Sequence, residues 1–331
     1  MKVIIPLAGK GTRLRPHTYT TPKPLLHVGG RPVMSYILDD LRDLGVTEAV
    51  FITGYLKESI EQYIRSEYAD FTAHFVEQPV QNGTAGAVQL AAPYVDSDVL
   101  IIFVDTLFDA DLSLVKRLPA ELAGVIWAKE VEDYQRFGVI VKDAEDNMKR
   151  IVEKPSDPIS KLANIGLYYI RDWKLLFEGI EATMEGPKGK SGEYYLTDAF
   201  QYMIDRGAKI RVEEVGGWYD CGQLETLLDT NRFLLESGRS RKPDGGHNAR
   251  IIEPVRIEAG VTLEDSEIGP NVTIESDSVV RNSKLRDTIV GRAVTIEDAA
   301  LHDSMLGDHA TVRGVNGVVS IASHSRVEGG G

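Results

Sequence analysis

The chain has 331 residues, 43% of them hydrophobic and 26% charged, with a formal net charge of -13. These totals predict roughly two soluble globular domains, and the acidic balance argues against nonspecific binding to nucleic acid or anionic membranes, which relies on summed positive charge. No apolar run reaches the roughly 20 residues that cross a membrane, Lys10 and Arg13 break up the apolar start where a secretory signal would continue, and a single cysteine, Cys221, excludes an intramolecular disulfide or a cysteine-rich zinc site. The compartment expected from this is a reducing cytoplasm.

The first apolar strand, Lys2 to Leu7, runs into Ala8-Gly9-Lys10-Gly11-Thr12-Arg13-Leu14 and on to Thr21-Pro22-Lys23-Pro24-Leu25. Gly9 and Gly11 let the main chain approach a ligand closely, and successive N–H groups in such a loop form an anion-binding concavity. Lys2, Lys10, Arg13, Arg15, Lys23 and Arg31 all precede the first acidic residue, Asp39. In an acidic chain that asymmetry points to a strongly anionic ligand such as a polyphosphate. Short glycine motifs recur by chance, so a loop that merely turns is the alternative.

Val33, Ile37, Leu38, Leu41 and Leu44 then recur with helical spacing before Gly45. Residues 49–53 predict a strand, 56–68 an amphipathic helix, 73–77 a strand and 84–92 a helix. Residues 98–104, D-V-L-I-I-F-V, predict a strand buried on both faces. Alternating strands and helices imply βαβ units and a mostly parallel sheet. Ligands of such sheets sit beyond the carboxyl ends of the strands, where the first loop, residues 78–86 and Asp105 all fall. From about residue 123 the pattern changes to strands with short connections, at 124–128, 137–141, 149–153 and 163–170, implying an antiparallel or mixed addition. Helices at 173–180, 196–206 and 223–236 and a strand at 209–215 complete this part.

Residues 237–250 carry Gly238, Pro243, Gly245 and Gly246 and read as a linker. Beyond it Ile257, Ile268, Ile274, Val280, Leu285, Val290, Ile296, Leu301, Leu306, Val312 and Val318 recur mostly at five- or six-residue steps, with Gly269, Gly291 and Gly307 each following an aliphatic. This is an imperfect hexapeptide repeat, the mark of a parallel β-helix with stacked aliphatics inside, with coils of about 18 residues expected. A small β-sandwich is the alternative, disfavoured because no hairpin turns punctuate the region.

Taken together, L-A-G-K-G-T-R-L-R-P, T-P-K-P-L, Gln78 with Gly83-Thr84-Ala85, V-D-T-L-F, F-G-V, V-E-K-P, A-N-I-G, W-Y-D-C-G and the hexapeptide tail resemble the sugar-1-phosphate nucleotidyltransferases, or nucleoside-diphosphate-sugar pyrophosphorylases, over the whole chain. The branch resembled joins dTTP or UTP to glucose 1-phosphate. The resemblance implies an α/β fold: a Rossmann-like mixed-sheet catalytic domain at 1–238, a linker at 239–250 and a short left-handed parallel β-helix at 251–331. It implies the reaction of a nucleoside triphosphate with a sugar 1-phosphate to give a nucleoside-diphosphate sugar and pyrophosphate. The attacking phosphate is already ionised, so catalysis rests on positioning and charge neutralisation.

By the same resemblance, Leu7, Ala8, Gly9, Gly11, Thr12, Gln78 and Gly83 bind the nucleotide, Gln78 and Gly83 at the base. Arg13 and Lys23 hold the phosphates, and Lys154 holds the sugar phosphate. Gly138, Glu153 and Asn164 line the sugar pocket, and Asp105 and Asp220 hold Mg²⁺, which takes one or two carboxylates plus phosphate oxygens and water. Val104 stands before Asp105 where the family usually has glycine. Gln78 with Gly83 fits the thymidylyl branch and the I-P-L-A-G opening fits bacterial uridylyl enzymes, so the base stays open. A homo-oligomer formed through the β-helix is expected. Two alternatives are a non-catalytic regulatory subunit that binds sugar nucleotides, and a bifunctional enzyme with an acetyltransferase on the β-helix, for which His302, His309 and His324 are the residues to examine.

Overall fold

The computed structural model describes residues 1–242 and 248–329; residues 243–247 of the expected linker lie outside them. The chain forms two compact units, one of Met1–Gly9 with Ile37–Trp218 and one of Lys10–Tyr36 with Tyr219–Gly331.

The first unit is built on a nine-stranded mixed sheet. Its parallel half follows from the alternating pattern: the strand Lys2–Pro6 lies between Val99–Ile102 and Glu48–Thr53, and Thr72–Glu77 adds beyond the last, all pairs parallel. Val99, Leu100, Ile101 and Ile102 are each fully buried, as a strand apolar on both faces requires. This strand is shorter than the expected 98–104, because the chain turns at Val104 and Asp105. On its far side the sheet becomes antiparallel. Leu162–Ile170 pairs antiparallel with Val99–Ile102 and with Gly124–Glu130, and Gly138–Lys142 pairs antiparallel with Met148–Glu153. Ile210–Glu214 adds in parallel to Gly124–Glu130. The helices Trp173–Glu185 and Leu196–Asp205 cover this half with Leu176, Ile180, Ala199, Phe200 and Met203, all packed into the main core.

In the second unit the helix Leu224–Leu234 leads into short strands that pair only in parallel. Partners are 17, 16, 16 and 15 positions apart along one face: Thr262 with Val279, Val279 with Thr295, Thr295 with Thr311, and Thr311 with Arg326. The step is shorter than the expected 18 because several sides of the coil take five residues. Parallel pairing at a step of 15 to 17 positions is consistent with a β-helix and excludes the sandwich. Ile257, Ile268, Ile274, Val280, Leu285, Val290, Ile296, Leu301, Leu306 and Val312 fill the interior as expected. Val318 does not: it is 58% exposed and Val319, 7% exposed, takes the inward place. The reason is a local change of register after Gly317, whose φ is +125°.

The corners use the left-handed backbone region, which Asn, Asp and His tolerate better than most side chains. Asp265, Asn271, Asn282, Asp287, Asp298, His309 and His324 all have positive φ. Corner side chains bond from coil to coil, Asn248 to Asp265 at 2.7 Å, Asn282 to Asp298 at 2.6 Å and Asn271 to Asp287 at 2.8 Å. His309 and His324 stack at such a corner, ring centroids 4.8 Å apart, and His302 pairs with Asp303 at 2.9 Å.

Candidate active site

Parallel strands end on one edge of a sheet, so the segments that follow them share that edge. In the first unit these are Leu7-Ala8-Gly9, residues 78–86 and the turn at Asp105. The Leu7 N–H donates to Ile52 at 2.7 Å, and Leu7 and Ala8 are 4% and 5% exposed. Gly9 is exposed, with open space where a side chain would start. The Gln81 amide donates to the Ala8 carbonyl at 2.6 Å and joins the first loop to the second.

The second loop is bound tightly to itself. The Gln78 side chain is buried, and its Nε2 donates to Asn82 Oδ1 at 3.2 Å and to the Gly83 carbonyl at 3.4 Å. Gly83 has φ +111°, and a Cβ there would lie 2.3 Å from the Tyr194 carbonyl. Only glycine fits, and Gly83 starts the short helix Thr84–Gln89. That start is tied to the segment before the helix Leu196–Asp205: Ala85 N–H to the Tyr194 carbonyl at 3.0 Å, and Leu196 N–H to Thr84 Oγ1 at 2.9 Å.

The segment continues into a wall made by three strands. Gly138, Glu153 and Asn164, far apart in sequence, converge there. A Cβ on Gly138 would fall 2.2 Å from Asn164 Nδ2 and 2.9 Å from Glu153 Oε2. The missing side chain is therefore what lets the amide and the carboxylate approach. Asn164 Nδ2 donates to the Gly138 carbonyl at 3.0 Å, Tyr168 donates its hydroxyl to Asn164 Oδ1, and Thr197 Oγ1 donates to Glu153 Oε2 at 3.3 Å. Lys154 is exposed, in left-handed backbone at φ +44°, with its ammonium 5.5 Å from the Tyr195 ring.

Burial shapes the charges of this wall. Removal from water raises the Glu153 pKa above the usual carboxylate value, against the pull of Lys154 and of the Thr197 hydrogen bond. The Tyr168 hydroxyl is raised well above the usual tyrosine value, first by burial and then by the negative charges of Glu153 and Asp105. Both carboxylates thus act on Tyr168. Asp105 itself is exposed, in the turn after the buried strand.

The remaining expected residues lie in the second unit. Gly11, at φ +60°, precedes a turn of 3₁₀ helix, Thr12–Leu14, that carries Arg13. Thr18 Oγ1 donates to the Gly11 carbonyl at 2.8 Å, and a Cβ on Gly11 would meet the Thr18 methyl at 3.0 Å and Lys23 Cβ at 3.1 Å. Gly11, Thr18 and Lys23 therefore pack as one knot, with the Thr12 and Arg13 side chains exposed. Asp220 is held at the start of the helix Leu224–Leu234: its Oδ1 accepts from the Gly222 N–H at 2.7 Å and its Oδ2 from Thr226 at 3.3 Å. Two accepted bonds leave lone pairs on a carboxylate that offers about four.

Tyr168, Thr197, Gln81 and Asn82 in the first unit and Thr18 in the second bond to the expected residues and were not themselves expected from sequence. The signal for Tyr168 was its place four residues after Asn164. The others sit in helix or loop stretches with no pattern to separate them from solvated polar residues.

The sequence profile of the family described as nucleotidyl transferase matches residues 2–237, and the chain belongs to that family. It is similar to the Bifunctional protein GlmU of Methanocaldococcus jannaschii, 35% identical over 268 residues, a match that covers 81% of this chain and 61% of that protein's length. It is also similar to a glucose-1-phosphate thymidylyltransferase of Streptomyces antibioticus, 28% identical over 358 residues, covering 94% of this chain and 99% of the relative. A solved structure of UDP-glucose pyrophosphorylase complexed with UDP-glucose has the same fold over 71% of this chain and 98% of its own, with a TM-score of 0.64 at 24% identity.

Proposed function

We propose that the chain transfers a nucleotidyl group from a pyrimidine nucleoside triphosphate, dTTP or UTP, to a sugar 1-phosphate, with glucose 1-phosphate favoured, releasing pyrophosphate. The observation that carries this reading is the convergence of Gly138, Glu153, Asn164, Tyr168 and Thr197 at one end of the sheet, with Lys154 next to them. That wall offers acceptors and donors for hydroxyl groups and a cation for a phosphate.

In the proposed reaction a sugar-phosphate oxygen attacks the α-phosphorus. The new P–O bond forms as the α–β anhydride bond breaks, and pyrophosphate leaves with the electron pair. Lys154 holds the attacking phosphate. Glu153, Asn164 and Gly138 orient the sugar. Gln78 and Gly83 are assigned to the base, Leu7, Ala8, Gly9, Gly11 and Thr12 to the nucleotide's main-chain cradle, and Arg13 and Lys23 to the phosphates, for which a guanidinium's forked donors are suited. Asp105 and Asp220 are proposed as carboxylates for Mg²⁺. Mg²⁺ takes one or two carboxylates and relies on phosphate oxygens and water for its other ligands. When bound, Mg²⁺ would withdraw charge from the α-phosphate.

The proposed division is a catalytic domain at 1–238, a linker at 239–250 and a left-handed β-helix at 251–331, in a cytoplasmic homo-oligomer. The test of function is pyrophosphate release from dTTP, UTP, GTP, ATP and CTP against the 1-phosphates of glucose, mannose and N-acetylglucosamine, with Mg²⁺. Turnover with a pyrimidine nucleotide and glucose 1-phosphate is expected. No turnover with any pair would remove the reading, and full turnover in a double Asp105→Ala, Asp220→Ala variant would remove the metal assignment.

A further inference from the structure

The segment that carries Arg13 and Lys23 belongs to the same compact unit as the C-terminal parallel stack. Three tethers inside that unit hold it. His17, 4% exposed, meets Ser320 with Nε2 3.0 Å from Oγ. His27 Nδ1 lies 2.9 Å from Oε1 of the buried Glu275. The Gly29 N–H donates at 2.9 Å to Oδ1 of Asn231, a fully buried side chain that also accepts from Thr273 Oγ1 at 2.7 Å. His27–Val28 and Arg31–Pro32 form an antiparallel hairpin, and the fit around its turn is close: a Cβ on Gly29 would meet Leu234 at 3.0 Å, and one on Gly30 would fall 2.0 Å from Arg256 Nε.

The tethers bracket the phosphate-binding candidates. His17 is the neighbour of Thr18, whose hydroxyl fixes the Gly11 carbonyl. Lys23, four residues before His27, packs against the same Gly11. A buried polar group that loses its partner destabilises the arrangement that buries it, so each tether favours one conformation of the segment.

We propose that the C-terminal stack positions a phosphate-binding segment: Ser320, Glu275 and Thr273 are positioning residues that hold residues 10–36 in the shape that presents Arg13 and Lys23 to a polyphosphate. This rests on the assignment of those two residues to the phosphates. The stack then does more than offer surface for assembly. It preorganises a loop of short 3₁₀ turns, which would otherwise have to be ordered on binding at a cost in affinity.

The test uses the full chain with Thr273→Val, Glu275→Met and Ser320→Ala combined. Hydrogen exchange across residues 10–36 should accelerate about tenfold or more while exchange in the stack stays the same, since three net hydrogen bonds of modest strength are removed. The KM for the nucleotide should rise about tenfold and the KM for the sugar phosphate by less than about twofold. Restoring a hydroxyl, with Ser320→Thr in place of Ser320→Ala, should recover part of the loss. Unchanged exchange in 10–36, or faster exchange with no change in nucleotide KM, would overturn the proposal. So would equal rises in both KM values. Calorimetric binding of inorganic tripolyphosphate separates this from the reaction assignment: if the wild type turns over no substrate pair, about tenfold weaker tripolyphosphate binding by the triple variant still supports the proposal, and equal binding overturns it.

Discussion

The two units place chemistry on the chain in opposite ways. In the sheet unit, the parallel strands end on one edge and the nucleotide candidates lie just beyond them, while antiparallel strands bring Gly138, Glu153 and Asn164 together. In the other unit, a segment of short 3₁₀ turns and a two-stranded hairpin is held in place by side-chain bonds to a repetitive stack and to the helix before it. The sheet edge is shaped by backbone register and by glycines that make room. The loop is shaped by a few tethers. An added methyl group should damage either region, at Gly138 or at Gly30, but the second should respond in addition to loss of hydrogen bonds and to protonation.

The largest effect is expected at the sheet edge. Gly138→Ala puts a Cβ where Asn164 and Glu153 now sit, and misplacing reacting groups by about 1 Å can cost about a hundredfold in rate. Steady-state kinetics should show kcat/KM for the sugar phosphate down by about that factor with little change in thermal midpoint; a midpoint collapse in its place would mean that the wall is structural. In the stack, Gly269→Ala forces a Cβ at φ +108° to within 1.8 Å of the Ile252 carbonyl. A loss of about 3 kcal/mol or more in urea unfolding is expected from combined strain and overlap, and a loss below about 1 kcal/mol would contradict the tight coil spacing.

The tethered loop should show a pH signature of comparable size. Burial lowers the pKa of His17 from 6.5 to about 4, so the folded state binds fewer protons than the unfolded state between those values. The stability this represents is present above about pH 6.5 and is lost as pH falls toward 4, about 3 kcal/mol in all. His17→Gln should flatten that part of the stability–pH curve, and parallel curves for the two proteins would refute it. The smallest effect is at Glu153, whose raised pKa has burial as its first cause. Its contribution is favourable below the unfolded carboxyl pKa and is lost as pH rises through the folded one. Glu153→Gln should therefore gain thermal midpoint relative to wild type as pH rises to neutrality while it loses sugar-phosphate turnover. A gap that narrows with rising pH would speak against this.

Much of this was legible in the residues. The alternation of strands and helices, the D-V-L-I-I-F-V strand and the hexapeptide spacing each reflect a short-range period, and the corresponding elements formed with shifts of a few residues. Expected site residues converged where those elements ended, as with Gly138, Glu153 and Asn164. Val318 was misread because a five- or six-residue step cannot reveal a change of register after Gly317. Tyr168 and Thr197 were missed because their place in the wall depends on which strand and helix face which.

The sequence alone determined the periods, the turns, the basic loop and the chemistry of the side chains, because those depend on residue type and on neighbours along the chain. Only the tertiary structure decided that residues 10–36 group with the C-terminal stack and that Glu153 and Tyr168 have shifted pKa values. Those outcomes follow from burial and from contacts across tens to hundreds of positions, such as His17 with Ser320, and no local pattern encodes such a contact.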